Sequence, residues 1–75
     1  MSLALRVFVN ATAVDVVAGA TALDCVRLWK SEEADAVVAG KRIISDSRGL
    51  PIPSDSAARA GSIFRTVTNR SERAE

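Results

Sequence analysis

The chain has 75 residues, 48% of them hydrophobic and 25% charged, with a formal net charge of +1. That is enough for one domain around one core, although a chain this short buries only about 60% of the surface it exposes when unfolded. The near-neutral charge excludes strong whole-molecule attraction to nucleic acid or to an acidic membrane. The single cysteine, Cys25, excludes an intramolecular disulfide and a fold that needs an oxidising compartment.

The opening Met1-Ser2-Leu3-Ala4-Leu5-Arg6 has no basic segment ahead of an apolar run, so a signal peptide is not expected. No stretch approaches the roughly 18 apolar residues of a membrane span, and a soluble, cytoplasmic protein is the expectation. Leu3, Leu5, Val7 and Val9 alternate with Ala4, Arg6, Phe8 and Asn10. This period of two predicts a strand over 3–10 with the first set facing a core. Asn10-Ala11-Thr12 reads as a hairpin turn, since Asn tolerates a left-handed backbone. Val14, Val16 and Val17 continue a second strand over 13–17, which Gly19 ends.

Thr21 reads as a helix N-cap, with Asp24 completing a capping box and placing negative charge in the first turn. Ala22, Cys25, Val26 and Trp29 follow helical spacing, and Leu23 and Leu28 widen the stripe, so the main helix spans 21–30. Residues 31–40 admit two readings. One is a short second helix over 32–39, capped by Ser31, with Glu32 and Glu33 in its first turn and Gly40 at its end. The other is a strand beginning at 36–38 with Gly40 as a bulge. The acidic start and glycine finish favour the helix.

Residues 41–45, with Ile43 and Ile44, predict the next strand, and Asp46-Ser47-Arg48-Gly49 has the composition of a type I turn. Residues 50–53 read as a short edge strand, because Pro51 and Pro53 lack amide donors. Ala60-Gly61 turns into a last strand over 62–68. Ile63 and Val67 are assigned inward, with Arg65 at the edge and Phe64 outward. Asn69–Glu75 is polar and charged, and is expected to be a disordered tail after a single domain over 1–68.

Three segments carry a resemblance. Leu5-Arg6-Val7-Phe8-Val9-Asn10 followed by Val14-Asp15-Val16 is similar to the opening hairpin of the ThiS/MoaD sulfur carriers. Ala18-Gly19-Ala20-Thr21-Ala22-Leu23 is similar to their Gly-x-Thr lead into the helix. Ala60-Gly61-Ser62-Ile63-Phe64-Arg65-Thr66-Val67 is similar to their lead into the final strand, with Ser62 where the family often has Asp. The chain thus resembles this family of ubiquitin-like β-grasp proteins over roughly residues 3–68. The resemblance implies an α+β fold: a mixed sheet of four or five strands packed on one main helix, with the first and last strands as neighbours. The family's chemistry needs a C-terminal Gly-Gly that threads into a narrow active site as bare backbone. No glycine lies beyond Gly61 here, so carrier chemistry is not expected. The β-grasp scaffold also hosts plant-type iron–sulfur ferredoxins, which need four cysteines and are excluded by one.

Histidine is absent, which removes the usual general base and the commonest zinc ligand. Cys25 lies on the apolar side of the helix and reads as a small core residue rather than a nucleophile. Asp46, Asp55, Glu32 and Glu33 read as turn and capping carboxylates, since no spacing matches a calcium loop. Trp29 reads as a core-rim residue. No catalytic residue, metal site or cofactor is expected. What remains is a surface: with Phe8 and Phe64 facing out on neighbouring strands, Arg6, Phe8, Arg42 and Phe64 would form an apolar patch with a basic rim. The leading reading is therefore a non-catalytic module that binds an as yet undefined protein through its open sheet face, with no nucleic-acid or membrane partner. The alternatives are a sulfur carrier or acceptor of the molybdopterin or thiamine type, and a small AbrB-like DNA-binding dimer. The latter rests on Asp46-Ser47-Arg48-Gly49-Leu50-Pro51-Ile52-Pro53 and is opposed by the near-neutral charge.

Overall fold

The structure, a computed structural model, describes residues 4–69. The elements in chain order are β1 (Ala4–Val9), β2 (Thr12–Val17), α1 (Ala22–Trp29), α2 (Ser31–Val38), β3 (Arg42–Ser45) and β4 (Ile63–Thr68). The fold is α+β, with a four-stranded mixed sheet in the order β2-β1-β4-β3. Each antiparallel pair is a neighbour in sequence, and the two pairs are joined by parallel β1 and β4 in the middle. The expected adjacency of first and last strands is present.

The first hairpin is closed by a two-residue turn, Asn10-Ala11, with Val9 opposite Thr12. Both turn residues lie in the left-handed region, Asn10 at φ 50° and Ala11 at φ 71°. That pair of positive angles matches the right-handed twist of the strands it connects. Asn accepts it readily; Ala does so at a cost, because its Cβ crowds the carbonyl.

Helix α1 begins as its sequence predicts. The Thr21 hydroxyl accepts from the Asp24 amide and the Asp24 carboxylate accepts from the Thr21 amide, each at 3.1 Å. The remaining free amides of the first turn are met from far along the chain: Ala22 donates to the Ser56 carbonyl and Leu23 to the Ser54 carbonyl. Every amide of the first turn therefore has a partner, which a buried helix start requires. The same bonds, with Ala58 donating back to Ala20, pin the long β3–β4 connection to the helix. Ala22, Cys25 and Val26 are buried, while Leu23 and Trp29 pack against the core from its margin.

Residues 31–38 form a helix, so the helical reading of this segment holds. Its boundary differs from expectation. Lys30, in an extended conformation, ends α1 and precedes α2, and no side chain caps α2; Ser31 is its first helical residue. The C-terminus closes as the glycine predicts: Gly40, at φ 84°, donates to Val37 and Lys41 donates to Ala36. This paired motif satisfies the last carbonyls.

Two further expectations are corrected. Residues 50–53 do not form a fifth strand; one bridge links Ser45 to Pro51, and the Ile52 amide donates to Ile44. The prolines that confine this segment to an edge also deny it a ladder. Asn69, assigned to the tail, extends the β3–β4 ladder, its amide donating to Lys41 and its side chain to the Gly40 carbonyl. The rest of the tail, 70–75, and Leu3 of the first strand lie outside the described residues.

Replacing Ala11 with Gly should raise stability by about 0.5–1 kcal/mol, because Gly reaches this φ without the Cβ clash and gives up part of the gain in unfolded-chain entropy. Urea unfolding checks it; an unchanged or lowered midpoint would mean that the turn is not of this type.

Candidate functional site

One face of the sheet carries the helices; the other is open. The registers decide which residue lies on which face, because directly paired residues point the same way. Leu5 pairs with Val16, Val7 with Val14, Val9 with Phe64, and Ile44 with Thr66. These line the helix side, and Val7, Val9, Val16, Ile44 and Phe64 are buried there. Arg6 pairs with Asp15, Phe8 with Ala13 and with Ile63, Ile43 with Val67, and Ser45 with Arg65. These lie on the other side, which is open except at Ser45, 1% exposed where the chain folds back at Pro51.

The face expected for β4 is therefore reversed. Phe64 is 4% exposed, whereas Ile63 is 45% and Val67 40% exposed. Arg65 shares a face with Ile63 and Val67, and a guanidinium without a partner is too costly to bury. Turning Arg65 out turns Phe64 in. Of the four residues named for the patch, Arg6 and Phe8 are on the open face. Phe64 is not, and neither is Arg42, which lies on the helix side with its Nε 3.5 Å from Glu33 Oε2 of α2. Ile43, Ile63, Arg65 and Val67 take their place. The parity of Arg65 with Ile63 and Val67 was the available sequence signal for this arrangement.

The open face has a distinct shape because β4 outruns β1. The parallel pairing covers Phe8–Ile63 and Val9–Phe64, after which β1 turns away at Asn10 while β4 continues to Thr68. An open groove of about 680 Å³ occupies the step, bordered by Phe8, Ala11, Ile63, Arg65 and Val67. Its floor is held by a polar chain. The Asn10 amide donates to the Phe64 carbonyl at 2.9 Å, and the Asn10 side-chain oxygen accepts from the Thr66 amide at 3.1 Å, so the side chain adds one rung to the ladder. Asn10 Nδ2 donates to Thr66 Oγ1 at 2.9 Å, and that hydroxyl donates to Glu33 Oε2 at 2.7 Å. The hairpin turn, β4, α2 and, through Arg42, β3 are thus connected by partly buried bonds.

The charges on the face are unequal in availability. Arg6 Nε is 3.1 Å from Asp15 Oδ1 across the hairpin, and this bond raises the pKa of the guanidinium further. Arg65 stands between Ile63 and Val67 with no ion-pair partner among the described residues.

The other candidate residues have structural positions. Cys25 is fully buried, and burial, followed by the neighbouring charge of Asp24, pushes its thiol pKa up, away from the reactive thiolate. Asp46 accepts from the amides of Leu50 and Arg48, at 3.0 and 2.9 Å, and these bonds hold its carboxyl below the usual range. Asp55 is exposed on the connection, and Trp29 carries Lys30 Nζ 5.0 Å from its ring centroid. Among the described residues no group of three or more Cys, Asp or Glu side chains is placed to hold a metal ion. No helix among them is long and apolar enough to cross a membrane.

Together these features define a small α+β domain with one helix-covered sheet face and one open apolar face. Comparison with family models, with curated proteins and with solved structures finds no match.

Truncating Phe64 to Ala should cost about 3–5 kcal/mol, as for other buried aromatic residues, while Ile63→Ala should cost about 1 kcal/mol or less. Chemical denaturation of the two variants checks this; equal losses would mean that β4 is not faced as described.

Proposed function

We propose that this chain is a non-catalytic, ubiquitin-like β-grasp module that binds another protein through the open face of its sheet. The observation that carries the reading is the patch of Phe8, Ile43, Ile63 and Val67 surrounding Arg65. Three of its four apolar side chains come from the two strands at the step, where the open groove lies. A contiguous apolar patch with an arginine in it is the composition found at the centre of protein interfaces. The Arg65 guanidinium, without an ion pair among the described residues, sets the chemistry of the partner: an apolar surface carrying a carboxylate that pairs with it in two parallel bonds. Strand order and the crossing connection support the β-grasp reading.

A photo-crosslinking residue at Val67, in the cells that make the protein, should trap one discrete protein adduct. The same residue at Asp35, on the helix side, should not trap it, and Ile63→Asp should abolish it while the thermal unfolding curve stays cooperative. Adducts that do not depend on position, or that survive Ile63→Asp, would rule the surface out.

A further inference from the structure

The sheet has two edges, and they are treated differently. On the β3 side the chain folds back over its own edge, with the Ile52 amide donating to the Ile44 carbonyl and a bridge from Ser45 to Pro51. On the β2 side none of the described residues pairs with the outer edge of the strand. The hydrogen bonds of β1 show which groups of β2 are left over. Phe8 donates to Ser62, and the Arg6 carbonyl accepts from Gly61, so the even residues of β1 face β4 and Leu5, Val7 and Val9 face β2. Their partners Val16, Val14 and Thr12 complete that ladder. Ala13, Asp15 and Val17 therefore aim their amides and carbonyls outward. Among the described residues, only the Val17 carbonyl of these groups is used, by the amide of Ala20 at 3.1 Å.

Natural edges are usually blunted by lysine, proline, a bulge or a covering segment. β2 reads Thr-Ala-Val-Asp-Val-Val, has no lysine or proline, and holds six consecutive register pairs without a bulge. Beside it runs a groove of about 540 Å³ along β2 and α1, with Val16, Ala20 and Leu28 on the helix side, Asp15 and Val17 at the strand edge, and Arg27 and Asp24 at its rim. On the helix side its wall is apolar, with Leu28 62% exposed, while Val17, whose side chain lies on the open side with Asp15, is 64% exposed at the end of the strand.

A second copy of this chain is a poor occupant. Antiparallel self-pairing over the whole strand sets Asp15 opposite the Asp15 of the other copy, and like charges directly opposite are destabilising. Shifting the register by two residues runs the pairing into Ala11 at one end, or Gly19 at the other, both at positive φ and outside the strand. A strand from a different protein has no such obstacle. Its residue opposite Asp15 lies on the open side, where a basic side chain complements the carboxylate as Arg6 does from β1. The residues before and after it point to the helix side, into the apolar groove.

We propose that β2 is a docking edge for an extended segment of another protein, added as a fifth strand, with an apolar–basic–apolar core centred on Asp15. This is strand addition, in which main-chain bonds supply affinity and alternate side-chain pockets supply selectivity. It uses the sheet edge rather than the open face and does not rest on the function proposed above.

The test is selection of a phage-displayed random heptapeptide library against the full chain, followed by binding of the recovered peptide in synthetic form. Recovered sequences should share a Lys or Arg flanked by apolar residues. The peptide should slow amide exchange at Ala13, Asp15 and Val17. Replacing its basic residue with Glu should weaken it by about tenfold or more. Val17→Pro removes an outward amide and no β1 ladder bond, and should weaken binding to a similar extent. Asp15→Lys should turn the selected centre from basic to acidic, and Asp15→Asn should erase the preference if the reversed variant does not fold. Recovery of no peptide, protection at Phe8 and Ile63 in place of β2, indifference to the peptide's charge, or dimerisation of the free chain through β2 would each overturn the proposal.

Discussion

Asn10 is the residue on which the two halves of the sheet meet. Each half is an antiparallel pair with its own turn or connection, and the parallel seam between them is only two residue pairs long. Asn10 lengthens it from both ends of one residue: its amide bonds the Phe64 carbonyl, and its side-chain oxygen receives the Thr66 amide. The residue sits at positive φ, as the first residue of the tight turn, while it does this. One side chain thus ends β1, starts the return to β2, and holds β4 in register. Thr66 passes the linkage to Glu33, so the second helix is tied to the same point. A partly buried chain of this kind is stabilising only when each member is satisfied, and here every link has a partner.

That seam decides which side of β4 is wet. With Val9 beside Phe64 the ring enters the core, and Ile63, Arg65 and Val67 go to the open face. The step between the end of β1 and the end of β4 follows from the same geometry, since β1 cannot continue past a residue that begins a hairpin turn. The apolar open face and the bare β2 edge are then two separate surfaces of one sheet. The first is an apolar patch around Arg65. The second is a row of main-chain groups beside an apolar groove. Elsewhere the connection over 46–62 satisfies the start of α1 and folds over the β3 edge, and Cys25 is buried.

Much of this was legible in the residues. The alternation of Leu5, Val7 and Val9 gave the first strand and its face. The Thr21–Asp24 pair marked the helix start, and Gly40 marked the end of the second helix. In these places local chemistry and tertiary structure agree. The last strand was harder, because Ile63-Phe64-Arg65-Thr66-Val67 offers apolar residues on both parities, and aromatic bulk weighs against two aliphatic residues. The cost of burying an unpaired charge settles it in favour of the face that excludes Arg65. Arg42 was misplaced because its face depends on the β3–β4 register, a long-range fact set across a connection of irregular chain. The capping of α1 by Ser54 and Ser56 carbonyls was invisible for the same reason: main-chain acceptors carry no sequence signature.

Amide hydrogen exchange at Thr66 tests the seam most directly. If the Asn10 side chain completes the ladder, the Thr66 amide exchanges far more slowly than in an unfolded chain, and Asn10→Ala speeds it selectively while amides within α1 stay protected. Free exchange at Thr66 in the unaltered protein would show that β1 and β4 are not joined in this way, and the assignment of the two sheet faces would go with it.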